Sequence, residues 1–145
     1  MTQSIAEKQH AIIESFSEFT DWEDRYREII AAGKTLDAYP EDQRDETHKV
    51  KGCQSQVWLH AAMDEDGRVV LHADSDAHIV RGLLGLVVQV YSGHTPDEIL
   101  ATPPDFVDGL GLNDHLSQNR AFGLQAVLKQ VRLYAMALKT LRERA

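Results

Sequence analysis

The sequence predicts an α+β fold, a small antiparallel sheet of about three strands packed against several helices. Three observations carry that prediction. Val57 to Met63 alternates as a strand, Asp66-Gly67 supplies the positive-φ residue of a hairpin turn, and Arg68 to Ala73 returns as a second strand. His78 to Tyr91 is apolar nearly all round, with Ile79, Val80, Leu83, Leu84, Leu86, Val87, Val88 and Val90, so it reads as a central helix covered on most sides. From Ser117 to about Leu141, Ala121, Leu124, Leu128, Val131, Ala135 and Leu138 recur three and four apart, the buried stripe of a long helix.

The remaining elements follow in order. Ile5, Ile12, Phe16 and Phe19 predict a first helix from about Ser4 to Phe19. Thr20-Asp21-Trp22-Glu23 is a capping-box pattern, with Thr20 as the cap, opening a second helix striped by Trp22, Tyr26, Ile29, Ile30 and Leu36. Ala38 to Lys49, charged and holding Pro40, reads as an exposed loop. Asp74-Ser75-Asp76 offers caps for the central helix. Gly82 and Gly85 inside that helix would only cost stability unless they admit another backbone closely. Thr95-Pro96-Asp97-Glu98 is a helix start, and Thr102-Pro103-Pro104-Asp105 begins a short helix ending near Gly109 or Gly111. With no repeat, low-complexity tract or Gly/Ser linker, residues 1–145 read as one domain.

Composition narrows function. An apolar fraction of 43% and a charged fraction of 26% describe a globular chain, not a disordered one. The 23 acids outnumber 15 Lys and Arg, a net charge of −8, which argues against sequence-independent binding to nucleic acid and favours basic partners. No apolar run is long enough to span a membrane, and Met1 to Lys8 lacks the apolar stretch of a signal peptide. One cysteine without a disulfide partner fits a reducing compartment, the cytoplasm.

That cysteine, Cys53, is the focus of any chemistry. A lone thiol closes no internal disulfide and builds no thiolate zinc site. It is then a packed side chain, a nucleophile, or a carrier between proteins. Its neighbours Lys51, Gly52, Gln54, Ser55 and Gln56 are not core residues, and the Lys51 ammonium would favour the reactive thiolate. Arg120 falls in the first turn of the last helix, where the dipole disfavours a cation, so it reads either as a surface arginine or as a residue facing the thiol or a partner. The seven histidines include no His-x-x-x-His pair for a metal and no hydrolase motif around the thiol. Asp64-Glu65-Asp66-Gly67 lacks the closing ligands of a calcium loop and is read as a turn.

The segment Gly52-Cys53-Gln54-Ser55-Gln56-Val57-Trp58 resembles the active-cysteine motif of the SufE family, the sulfur acceptors of cysteine desulfurases. The resemblance continues through Asp74-Ser75-Asp76-Ala77, Ile79-Val80, Gly82-Leu83, Thr95-Pro96, Leu116-Ser117, Asn119-Arg120 and Gly123-Leu124, in order, from about Trp22 to Leu138. His48 stands where the family often has asparagine. The resemblance implies a fold shared with iron–sulfur scaffolds of the IscU type. It also implies a persulfide carrier that is not a free-standing enzyme and binds no cofactor or metal. In that role Cys53 takes sulfur from a pyridoxal-phosphate desulfurase of the SufS or CsdA type and hands it to an iron–sulfur scaffold. Lys51, Gly52, Gln54, Asp76 and Arg120 would support the transfer or bind the partner. The reading from another class is an adaptor that binds a desulfurase or another enzyme without carrying sulfur.

Overall fold

The computed structural model describes residues 3–144; Met1 and Thr2 of the N-terminal segment lie outside it. Two strands, β1 (Val57–Met63) and β2 (Val69–Ser75), pair antiparallel in a register running from Val57↔Ser75 to Met63↔Val69. The turn between them is closed by the Asp64 carboxylate, which accepts from the Asp66 and Arg68 amides at 2.9 Å each. Val57, Leu59, Val69, Leu71 and Ala73 share the inner face and are buried. Among the described residues the strand count is two, not three. Where a third would lie, Val50 N–H donates to Val57 (2.8 Å) and Leu59 N–H to His48 (2.9 Å), and pairing stops after that one bridge. Upstream, the charged Glu41–Gln43 stretch winds into a 3₁₀ turn instead of extending.

Seven helices complete the described chain: α1 (Ile5–Phe16), α2 (Trp22–Ala32), α3 (His78–Tyr91), α4 (Pro96–Ala101), α5 (Asp105–Gly109), α6 (Leu112–His115) and α7 (Gln118–Arg144). α3 is the central helix, burying Ile79, Leu83, Leu84, Leu86, Val87 and Val90 among β2, α2 and α7. Its two glycines admit α2: a Cβ at Gly82 would lie 2.6 Å from the Ile29 carbonyl carbon, and one at Gly85 2.6 Å from that of Ala32. Thr95 and Glu98 form the expected capping box at α4. α7 buries Leu124, Val127, Leu128, Val131 and Ala135, and its Tyr134 hydroxyl donates to the Leu59 carbonyl (3.0 Å) at the edge of β1.

Four local expectations change. The first helix stops at Phe16, and Asp21, not Thr20, caps α2 by accepting from the Glu23 amide at 2.9 Å; a carboxylate one residue nearer the helix takes the orphan donor first. α3 starts behind Ala77 with no side-chain cap, because its three candidates are engaged elsewhere. The Asp74 carboxylate pairs with Arg44 (2.9 Å) and Arg81 (3.0 Å), Ser75 Oγ accepts from the Ala77 amide, and Asp76 turns to Gln56. Finally, the Ala38 to Lys49 segment is not simply exposed. A two-stranded sheet leaves Trp58 on its outer face in need of cover, and this segment supplies it. Tyr39 is buried there, and the Arg44 guanidinium lies 4.8 Å from the Trp58 ring centroid.

Candidate functional site

The single bridge between residues 48–50 and β1 turns residues 51–56 into the tip of a short hairpin. Gly52 makes the tip possible: its φ of 94° is in the left-handed region, where any side chain would be strained. The returning arm is fastened by Asp76, whose Oδ1 accepts from the Gln56 amide (3.0 Å) while its own N–H donates to the Gln56 carbonyl (3.3 Å). The β1–β2 ladder thus continues one pair beyond the strands. Asp76 serves the loop, not the helix.

Cys53 folds inward from this tip and is half-buried. Its S–H donates to the Gly123 carbonyl of α7 at 3.7 Å. Gly123 lies directly beside the sulfur: a Cβ there would sit 3.4 Å from Sγ, in van der Waals contact with it. Beside the sulfur lies a cavity of about 320 Å³ between the tip, α3 and α7. Val80, Leu83 and Leu84 from α3 and Leu124 and Val127 from α7 make its apolar wall. Gln54, Ser55, Ser117, Asn119 and Arg120 supply its polar lining. Arg120 is held there by its backbone N–H donating to the Ser117 hydroxyl (3.3 Å) and its guanidinium donating to the Tyr26 hydroxyl (3.3 Å). Neither histidine nor carboxylate is part of the lining, so the base a cysteine hydrolase needs is missing from it. Among the described residues no group of three His, Cys, Asp or Glu can hold a metal ion, and no helix is long and apolar enough to cross a membrane.

Of the residues singled out in the sequence, Cys53, Gln54 and Arg120 meet at the cavity, Gly52 shapes the tip and Asp76 fastens it. Lys51 does not join them. It is exposed and lines a separate groove with Ala126 and Lys129. The thiol is therefore not acidified: burial pushes Cys53 above the ordinary thiol range. The Gly123 carbonyl was not foreseen as a site feature; a glycine inside an otherwise regular helix is the signal that marks it.

A half-buried, protonated thiol should react slowly with an alkylating reagent. At neutral pH a bulky maleimide is expected to modify native Cys53 at least about ten-fold more slowly than the unfolded chain. That rate should climb about ten-fold per pH unit toward the alkaline side, because the thiolate is the nucleophile and its pKa is raised. Equal rates for folded and unfolded protein, or a plateau near neutrality, would contradict the sheltered site.

Known proteins similar to this chain point to one family. A family model, SufE, described as an Fe-S metabolism associated domain, matches residues 10–135. An uncharacterized SufE-like protein of Rhizobium meliloti is 43% identical over 125 residues, 83% of this chain and 89% of the relative. Another, from Synechocystis sp., is 38% identical over 128 residues, covering 88% and 80%. The solution structure of a hypothetical protein from Thermus thermophilus superimposes with a TM-score of 0.76 at 26% identity, covering 92% of this chain and 96% of that one. A match across the hairpin tip, the central helix and most of α7 takes in every wall of the Cys53 cavity, and the chain belongs to the SufE family.

Proposed function

We propose that this protein is a sulfur carrier of one domain. It takes sulfane sulfur from a pyridoxal-phosphate cysteine desulfurase onto Cys53 and delivers it to an iron–sulfur scaffold. The observation that carries the reading is the placement of the lone thiol. Cys53 sits at a hairpin tip held at its base, with its sulfur turned in against a cavity far larger than one more sulfur atom needs. Such a thiol can be presented to a partner and then withdrawn with its cargo.

The transfer is a thiol exchange. Cys53 loses its proton, and its sulfur attacks the outer sulfur of the donor's persulfide. The donor's inner S–S bond breaks, its cysteine leaves as a thiolate that takes up a proton, and Cys53 holds the new S–S bond. The sulfane sulfur keeps its oxidation state, so no oxidant is required. Arg120 supplies the positive charge at the cavity that Lys51 does not, and steadies the anionic sulfur while the proton is away. After transfer, the apolar wall shields the persulfide from water and reductants. A free thiol in this duty belongs in a reducing compartment, the cytoplasm.

Alanine release by a cysteine desulfurase from the same cell tests the proposal. Release should rise saturably as the protein is added. Arg120→Ala should lower the stimulation by about ten-fold, the weight of one charge-assisted interaction, while melting within about 2 °C of wild type because the residue is exposed. A desulfurase rate unmoved by wild-type protein would overturn the carrier role, and full stimulation by the variant would return Arg120 to the ordinary surface arginines.

A further inference from the structure

α7 is the cationic element of an acidic molecule. It carries six Lys and Arg against one acid, Glu143, a net of +5, so the rest of a chain of net −8 carries −13. Its inner face is buried in the fold. On its outer face Phe122, Ala126, Lys129, Leu133 and Met136 follow one another at steps of four and three, a spacing that puts them in one row. Phe122 is 61% exposed, Leu133 46% and Met136 51%, more large apolar surface in one line than scattered surface residues account for.

Beside that row, between α7 and residues 47–51, runs a groove of about 410 Å³ with Val50, Lys51, Ala126, Lys129 and Leu133 in its lining and no carboxylate. Lys49 at its edge is matched by Glu46 at 3.0 Å, but Lys51 and Lys129 form no ion pair among the described residues, in a chain with a surplus of acids. The groove adjoins the thiol. Lys51 immediately precedes Gly52, where a Cβ would lie 3.7 Å from that of Ala126, and Phe122 precedes the glycine that holds the Cys53 S–H.

We infer that this row and groove are the docking strip for the desulfurase that donates sulfur to Cys53, and that the desulfurase meets them with an acidic segment centred on apolar side chains. Charge selects the occupant. A second copy presenting the same strip would set Lys51 and Lys129 against their own counterparts, whereas an acidic segment neutralises both and covers Phe122 and Leu133. An anionic lipid surface would satisfy the charge but brings no sulfur donor to the thiol at the end of the strip. The inference rests on the sulfur-carrier reading and adds which face the partner covers.

Lys129→Glu and Leu133→Glu test it, both at exposed positions outside the Cys53 cavity. Titrated into a purified cysteine desulfurase turning over free cysteine, each is expected to raise the half-saturating concentration on the order of ten-fold. The Lys129→Glu penalty should shrink as salt is added, and both variants should melt like wild type. Half-saturation equal to wild type in both would overturn the strip. So would loss of binding to phosphatidylglycerol vesicles with the desulfurase titration unmoved, which would give the face to lipid. A wild-type dimer in sedimentation that Leu133→Glu dissolves, again with that titration unmoved, would overturn it in favour of a second copy. If wild type itself gains no sulfur, the carrier reading falls and the strip with it. If wild type gains sulfur and the variants titrate identically, only the strip falls.

Discussion

Cys53→Ser is expected to return alanine release by the desulfurase to its unstimulated rate while leaving the fold nearly unchanged. The smaller hydroxyl fits in the space of the thiol, but an oxygen nucleophile forms no persulfide and accepts no sulfane sulfur. Cys53 is only half-buried, at the tip of a loop whose strength lies at its base, in the Val50–Val57 and Gln56–Asp76 bonds. The substitution should therefore cost less than about 1 kcal/mol. The activity assay is paired with a thermal melt. Full stimulation by the serine variant would favour an adaptor that binds without carrying, and a loss of several degrees would favour a packing role for the thiol.

Gly82→Ala should be, with Gly85→Ala, among the most destabilising single methyl additions to this chain. The new Cβ would lie 2.6 Å from the Ile29 carbonyl carbon and 3.0 Å from Ile30 Cα, both backbone atoms of α2, so no side chain can rotate to make room. α3 and α2 must part, and α3 also forms one wall of the Cys53 cavity. The gain in helix propensity from replacing glycine, about 1 kcal/mol, is outweighed by overpacking of about 3 kcal/mol or more. Denaturant melts check this directly. A variant within about 0.5 kcal/mol of wild type would show that the helices slide apart easily.

Much of this arrangement is legible in the residues, and the parts that are not have definite causes. β1 and α3 are bounded by their periodicity alone, since alternation and an all-round apolar surface leave few other readings. The paired glycines of α3 announce the close approach of α2 for the reason that glycine in a helix needs one. Asp76 misleads because an acid just before a helix has two uses, capping and fastening a neighbouring strand; only the position of Gln56 across the ladder decides between them. Lys51 does not stand at the thiol's cavity, because proximity in sequence is not proximity at a hairpin tip, where Gly52 reverses the chain between the two side chains; its partner-binding role is part of the docking strip proposed above. α6, four residues long, is too short to carry a period. Arg120 stands out for breaking the dipole rule, and its place at the cavity gives that violation a use.

The most direct measurement is the mass of Cys53 itself. The protein, a cysteine desulfurase and free cysteine are incubated together, the thiols are capped, and the peptide containing Cys53 is weighed. The carrier account predicts a gain of about 32 Da for each sulfur held on Cys53, reversed by a thiol reductant. An unchanged mass under conditions where desulfurase turnover is nevertheless stimulated would contradict it and leave a protein that binds the desulfurase without taking its sulfur.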